Sequence, residues 1–312
     1  MTKMILLFLG FVLVFVNAFL VDFSLDTQYL IFFVGVVLLG VPHGAADLLV
    51  AEKNADSLEK PFSKQYFFLK YIGRLLLFAL LLYAFPVVGN ILFIFFAAYH
   101  FGETDLNQFK TNTIFGKLFV ISYGLVILSV ILLHHFDDVK PIYLMFESGQ
   151  KNQALINWIS DYRYVLLSIS GITFFISTFL YFLKNPNLKN NDTGQFLIHF
   201  AIILSILFVL PMILGFTFYF VVWHSYISIS NIIRYLRINN KVSFKTISNQ
   251  IILYSLLAII GVIIFGLTGF MFINKNAIAG YIFLGLAVLT APHMEIMYNM
   301  YFALRQKNKA HI

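Results

Sequence analysis

Gly40-Val41-Pro42-His43-Gly44-Ala45-Ala46-Asp47 sits inside an apolar run over 28–51. About 20 such residues suffice for a helix to cross a bilayer. This run carries one imidazole and, four residues on, one carboxylate. Similar runs recur from end to end, and ten helices are read at roughly 4–21, 28–51, 65–85, 87–107, 115–135, 164–183, 195–211, 213–237, 248–272 and 277–303. Of 312 residues, 60% are hydrophobic and 11% charged, with a mean hydropathy of +0.87. Soluble domains are not built this way. The expected fold class is an all-α integral membrane protein of about ten transmembrane helices. No fixed-period repeat, low-complexity tract or linker divides the chain, so one multi-pass domain over 1–312 is expected.

Lys3 ahead of an apolar stretch resembles the start of a signal peptide, but a clean small-x-small cleavage site is missing, and 4–21 is kept as a helix. In the third helix Lys70 and Arg74 must snorkel toward an interface. Pro86, Gly89 and Asn90 mark the tight turn that ends it. The longest outer loop, 136–163, holds Pro141–Phe146 and Ala154–Ile159, which suit short amphipathic pieces lying on the membrane surface. With the N-terminus inside, 17 of the 21 lysines and arginines fall on the cytoplasmic side, leaving Lys140, Lys151, Arg163 and Lys275 outside. That asymmetry orients a membrane protein and places both termini in the cytoplasm. The net charge of +7 is accounted for in the same way, without a nucleic-acid partner. Cysteine is absent, which excludes disulfides, thiolate catalysis and metal–thiolate sites.

Three further histidines stand like His43, each alone in an apolar span: Tyr99-His100-Phe101-Gly102-Glu103, Trp223-His224-Ser225-Tyr226 and Ala291-Pro292-His293-Met294-Glu295. All four helices run from outside to inside. His43 to Lys53, His100 to Lys110 and His224 to Arg234 each span 10 residues, and His293 to Arg305 spans 12. At 1.5 Å per residue the imidazoles lie roughly 15–18 Å from the cationic end, near the middle of a hydrocarbon core about 30 Å thick. A lone intramembrane histidine reads as a hydrogen-bonded packing residue. Four at one depth read as a site, because each unpaired polar group in lipid is costly. His134 and His135 at an outer helix end, His199 at the start of the seventh helix and His311 in the tail do not share that depth.

Four neutral imidazoles suit iron, copper, zinc or nickel. They leave a divalent ion its full charge and, at six-coordination, two open positions. Asp47 shares a helix face with His43, and Glu103 shares one with His100, so both are candidates to hold distal ring nitrogens, or are ordinary interfacial carboxylates. Glu295, two residues after His293, points to a neighbouring helix or to none. Pro42 and Pro292 directly precede two of the histidines and suit kinks that open room at the site.

On Val41–Asp47, Tyr99–Glu103, Trp223–Ser225 and Pro292–Glu295 the sequence resembles the Brp/Blh family of integral-membrane β-carotene 15,15′-dioxygenases of rhodopsin-using microbes, over nearly the whole chain. The proline–histidine–glycine stretch with its aspartate is the most specific of these motifs. The resemblance implies Fe(2+)-dependent cleavage of the central double bond of all-trans-β-carotene by O2, giving two retinals. It makes His43, His100, His224 and His293 the iron ligands. It further implies a multi-pass protein of the cell (inner) membrane, in contact with lipid and functionally linked to a microbial rhodopsin.

Among rival functions, a rhodopsin-like photoreceptor needs a midspan lysine for its Schiff base, and the cations here sit in loops or near helix ends. Clustered histidine boxes of a membrane desaturase are missing. A haem protein using two of the four histidines would betray itself by a Soret band. A transporter with an intramembrane His/Asp/Glu ion path is the rival from another class.

Overall fold

The computed structural model describes residues 2–186, 190–238, 242–269 and 278–310, and among them the chain is helical with no strand. In chain order the helices are α1 (Thr2–Leu20), α2 (Leu25–Ser57), α3 (Lys64–Ala84), α4 (Pro86–Asp105), α5 (Ile114–His134), α6 (Phe136–Leu144), α7 (Glu147–Lys151), α8 (Gln153–Lys184), α9 (Asn190–Val209), α10 (Met212–Arg237), α11 (Phe244–Gly269) and α12 (Ile278–Ala310). Eight of these (α1 to α5, α8, α10 and α11) are long and apolar enough to cross a membrane. The seventh and tenth expected spans fall on α9 and α12. Residues 270–272 and 277, and the tail with His311, lie outside the described residues.

Local chemistry explains the helix ends. Ser63 caps α3 by accepting from Tyr66 N, and Thr113 caps α5 by accepting from Gly116 N. Only Phe85 separates α3 from α4, and Pro86 occupies the first turn of α4, where its missing N–H costs nothing. The turn closes because a Cβ at Gly89 would lie 2.9 Å from the Leu82 side chain. Asn90 Nδ2 adds a bond to Pro86 O at 2.8 Å. The segment 136–163 differs from expectation. α6 and α7 are short, but from Gln153 the chain enters α8, which runs for 32 residues. Without proline, and with Gly171 its only glycine, nothing in that sequence stops the helix.

Four segments widen to π-helix: Val16–Leu20, Val36–Gly40, Val130–His134 and Thr217–Ser225. Such bulges shift every later side chain around the helix and cluster at functional sites.

The chain gathers into two compact units, Met1–Gly35 with Gln108–His224, and Val36–Asn107 with Ser225–Ile312. The first unit has an aromatic interior. The Phe119 and Tyr181 rings stack at 4.8 Å, Phe174 and Phe200 lie 4.4 Å apart, and Phe109 meets Phe196 edge-on at 5.6 Å. Each such pair contributes about 0.5–1.5 kcal/mol beyond area burial. The second unit packs Val50, Ile232, Met297 and Met300, all fully buried, into one apolar cluster. Large apolar residues meanwhile stand outward, among them Phe8, Leu38, Leu77 and Phe175. This inside-out distribution suits a hydrocarbon surrounding rather than water.

Candidate metal centre

His43 sits on α2 just after the π segment Val36–Gly40 and Pro42, and before a break in the helix at Ala46. His100 is followed on α4 by a run, Phe101–Asp105, that is buried throughout. Thr104 Oγ1 donates back to His100 O at 3.0 Å and accepts from Tyr301 OH at 3.2 Å, and Tyr301 in turn accepts from Asn231 Nδ2 at 3.3 Å. This network ties α4 at the level of His100 to α12. His224 lies one residue before the end of the π segment of α10, its ring stacked on Phe220 at 6.1 Å. Pro292 removes a backbone donor from α12 one residue before His293.

All four imidazoles are buried: His224 fully, His100 at 3%, and His43 and His293 at 6% exposure. His43, His100 and His224 each present a ring nitrogen within 4.8 Å of the others'. Three such neutral donors can hold a metal ion. The His293 ring lies edge-on to two of them, 5.0 Å from His43 and 4.9 Å from His100 between centroids. Its Nδ1 is 2.7 Å from Asp47 Oδ1, while its Nε2 is buried without a hydrogen-bond partner. In the neutral tautomer that donates from Nδ1 to this carboxylate, Nε2 keeps its lone pair.

The carboxylates depart from the simple face-sharing reading. Asp47 serves His293 rather than His43, and its second oxygen accepts from Tyr71 OH at 3.0 Å. Glu103 reaches no histidine: it accepts from Arg305 Nη2 at 2.8 Å and from Tyr99 OH at 3.3 Å. Glu295 pairs with Arg74 at 2.6 Å. Arg305, a cytoplasmic marker in the depth count, is therefore buried beside Glu103, and Lys53 is also only 8% exposed. His199 falls midway along α9 rather than at its start, 6.3 Å from the Trp223 ring. His135 Nε2 lies 2.9 Å from Leu207 O.

Tyr71 and Arg305 were not legible as site residues. A tyrosine in an apolar run reads as filler, and an arginine after a span reads as a loop cation. Arg74 carried a usable signal, since a cation midway along a span needs an acidic partner.

The sequence profile of the family described as beta-carotene 15,15'-dioxygenase matches residues 34–301. The match takes in all four histidines, Asp47, Tyr71, Arg74, Glu103 and Glu295, and stops short of Arg305. No curated protein and no solved structure matches the chain.

Proposed function

The chain belongs to the β-carotene 15,15′-dioxygenase family, and from that premise we propose that it cleaves the central double bond of all-trans-β-carotene with O2 to give two molecules of all-trans-retinal. The cofactor is Fe(2+), held by His43, His100, His224 and His293. The donor set fits such an ion: three buried imidazoles with ring nitrogens within 4.8 Å of one another, and a fourth whose Nε2 is buried without a partner. Bound there, the metal would supply the activation that ground-state O2 needs to react with a closed-shell polyene.

The chain's own residues have three tasks. Asp47 orients His293 through Nδ1. The Thr104–Tyr301–Asn231 network fixes the backbone that carries His100. Burial of all four imidazoles keeps water from the site. No side chain has to act as nucleophile or general acid, and the work of the protein is positioning. The substrate is apolar and dissolves in the bilayer, reaching the protein across the outward-facing Phe, Leu and Ile side chains. Ten spans with both termini in the cytoplasm, in the cell (inner) membrane, complete the reading. Retinal released there would supply a microbial rhodopsin.

The observation that carries the proposal is the buried three-histidine group inside the family-matched stretch. Its test is expression in bacteria that accumulate β-carotene, with chromatography of the pigments. Loss of carotene and appearance of retinal, both abolished by His43→Ala, is the expected result. Unchanged carotene in iron-replete cells with the protein verified in the membrane would overturn it. An ion transporter would leave the pigment untouched and need no metal.

A further inference from the structure

We propose that Tyr71 is a positioning residue for the histidine centre: through Asp47 it fixes the ring of His293 so that Nε2 turns away from the carboxylate, toward the other imidazoles. The inference rests on the metal reading above and adds a residue to it.

α3 presents an apolar face outward, with Leu69, Ile72, Leu76, Leu77 and Leu80 all more than half exposed. Against that background two side chains three residues apart, Tyr71 and Arg74, reach polar partners on other helices. Arg74 meets Glu295 of α12 at 2.6 Å. Tyr71 OH meets Asp47 Oδ2 of α2 at 3.0 Å. The ion pair thus ties α3 to the helix that carries His293, two residues from it, and the hydroxyl meets the carboxylate that His293 contacts.

Asp47 is 3% exposed, and both its oxygens are engaged, Oδ1 with His293 Nδ1 and Oδ2 with Tyr71. A carboxylate held at one oxygen can swing about its Cβ–Cγ bond. Held at both, it has one orientation, and so has the imidazole it contacts. The orientation matters because His293 stands edge-on to His43 and His100, at interplanar angles of 80° and 85°. A modest rotation of that ring displaces Nε2. Carboxylates behind ligating histidines influence metal affinity by about 10–100-fold, and a donor one link further out should contribute a smaller factor. Phenylalanine would fill the same space at 71, so the hydroxyl alone carries the effect.

The test uses the full-length protein in detergent, with Co(II) as the spectroscopic probe, in wild type, Tyr71→Phe, Asp47→Asn and the double variant. Chelator competition gives the dissociation constant, and the ligand-field bands report on ligand geometry. Tyr71→Phe should weaken Co(II) binding about 3–10-fold and displace the bands, and Asp47→Asn about 10–100-fold. The double variant should match Asp47→Asn alone, because Tyr71 acts only through Asp47. A merely structural tyrosine would alter thermal unfolding of the metal-free protein and leave the bands in place. If wild type binds Co(II) and Tyr71→Phe matches it in both readouts, or the two effects simply add, the inference fails by itself. If wild type binds no Co(II), the metal reading fails and takes the inference with it. Should Tyr71→Phe not fold, Asp47→Asn with bands unchanged from wild type would overturn the inference equally.

Discussion

The two units have opposite kinds of interior. In the unit Met1–Gly35 with Gln108–His224, Phe109, Phe119, Phe174, Phe196 and Phe200 fill the space between helices, and small hydroxyl side chains are among the buried polar groups. Ser122 and Ser177, for example, bond to each other and back to Phe119 O and Phe174 O. In the unit Val36–Asn107 with Ser225–Ile312 the buried positions include His43, Asp47, His100, Glu103, Asn231, His293 and Arg305. Apolar packing in lipid needs shape alone, because lipid is as apolar as a leucine side chain. Buried ionisable groups are expensive there, and they persist where a function uses them. The second interior, which holds three of the four histidines, is therefore the one that carries most of the buried ionisable groups.

The sharpest way to break the contrast is to remove one member of its buried ion pair. Glu103→Ala leaves Arg305 uncompensated, with Nε and Nη1 already lacking partners. It should destabilise the protein by about 3–5 kcal/mol, read as a lowered unfolding midpoint in detergent. Replacing both partners, as Glu103→Gln with Arg305→Met, should recover most of that loss. If Glu103→Ala unfolds like wild type, the pair is no strongly coupled feature of this interior. At the small end, Ser122→Ala removes an interhelical hydroxyl pair from the aromatic interior and should cost about 0.6 kcal/mol. A much larger loss would show that the first unit also depends on polar contacts.

The sequence made the helices legible because bilayer thickness dictates the length of an apolar run; among the described residues the ten expected segments fall on helices, eight of them long and apolar enough to cross a membrane. It misjudged α8, where the apolar outer-loop residues Ala154–Ile159 continue one helix instead of lying as a separate piece. The histidines stood out as isolated polar groups, and their chain positions put His43, His100, His224 and His293 forward as a group, of which the first three bring ring nitrogens within 4.8 Å of one another. Their partners were harder to see. Asp47 looked like a neighbour of His43 on a regular helix, but its carboxylate meets His293 of another helix, whose ring lies 5.0 Å from that of His43. π segments have no simple sequence signature, since they depend on how the helix packs. The cation count also assumed that Lys53 and Arg305 mark the aqueous boundary, whereas both are buried.

The central claim is that these histidines hold a metal, and metal analysis of the purified full-length protein tests it most directly. Wild type and His→Ala variants at 43, 100, 224 and 293 would be compared after iron-replete expression. The account predicts about one iron per chain in wild type, lost in each variant while helicity is retained. Wild type without bound metal, or variants that keep it, would contradict the account.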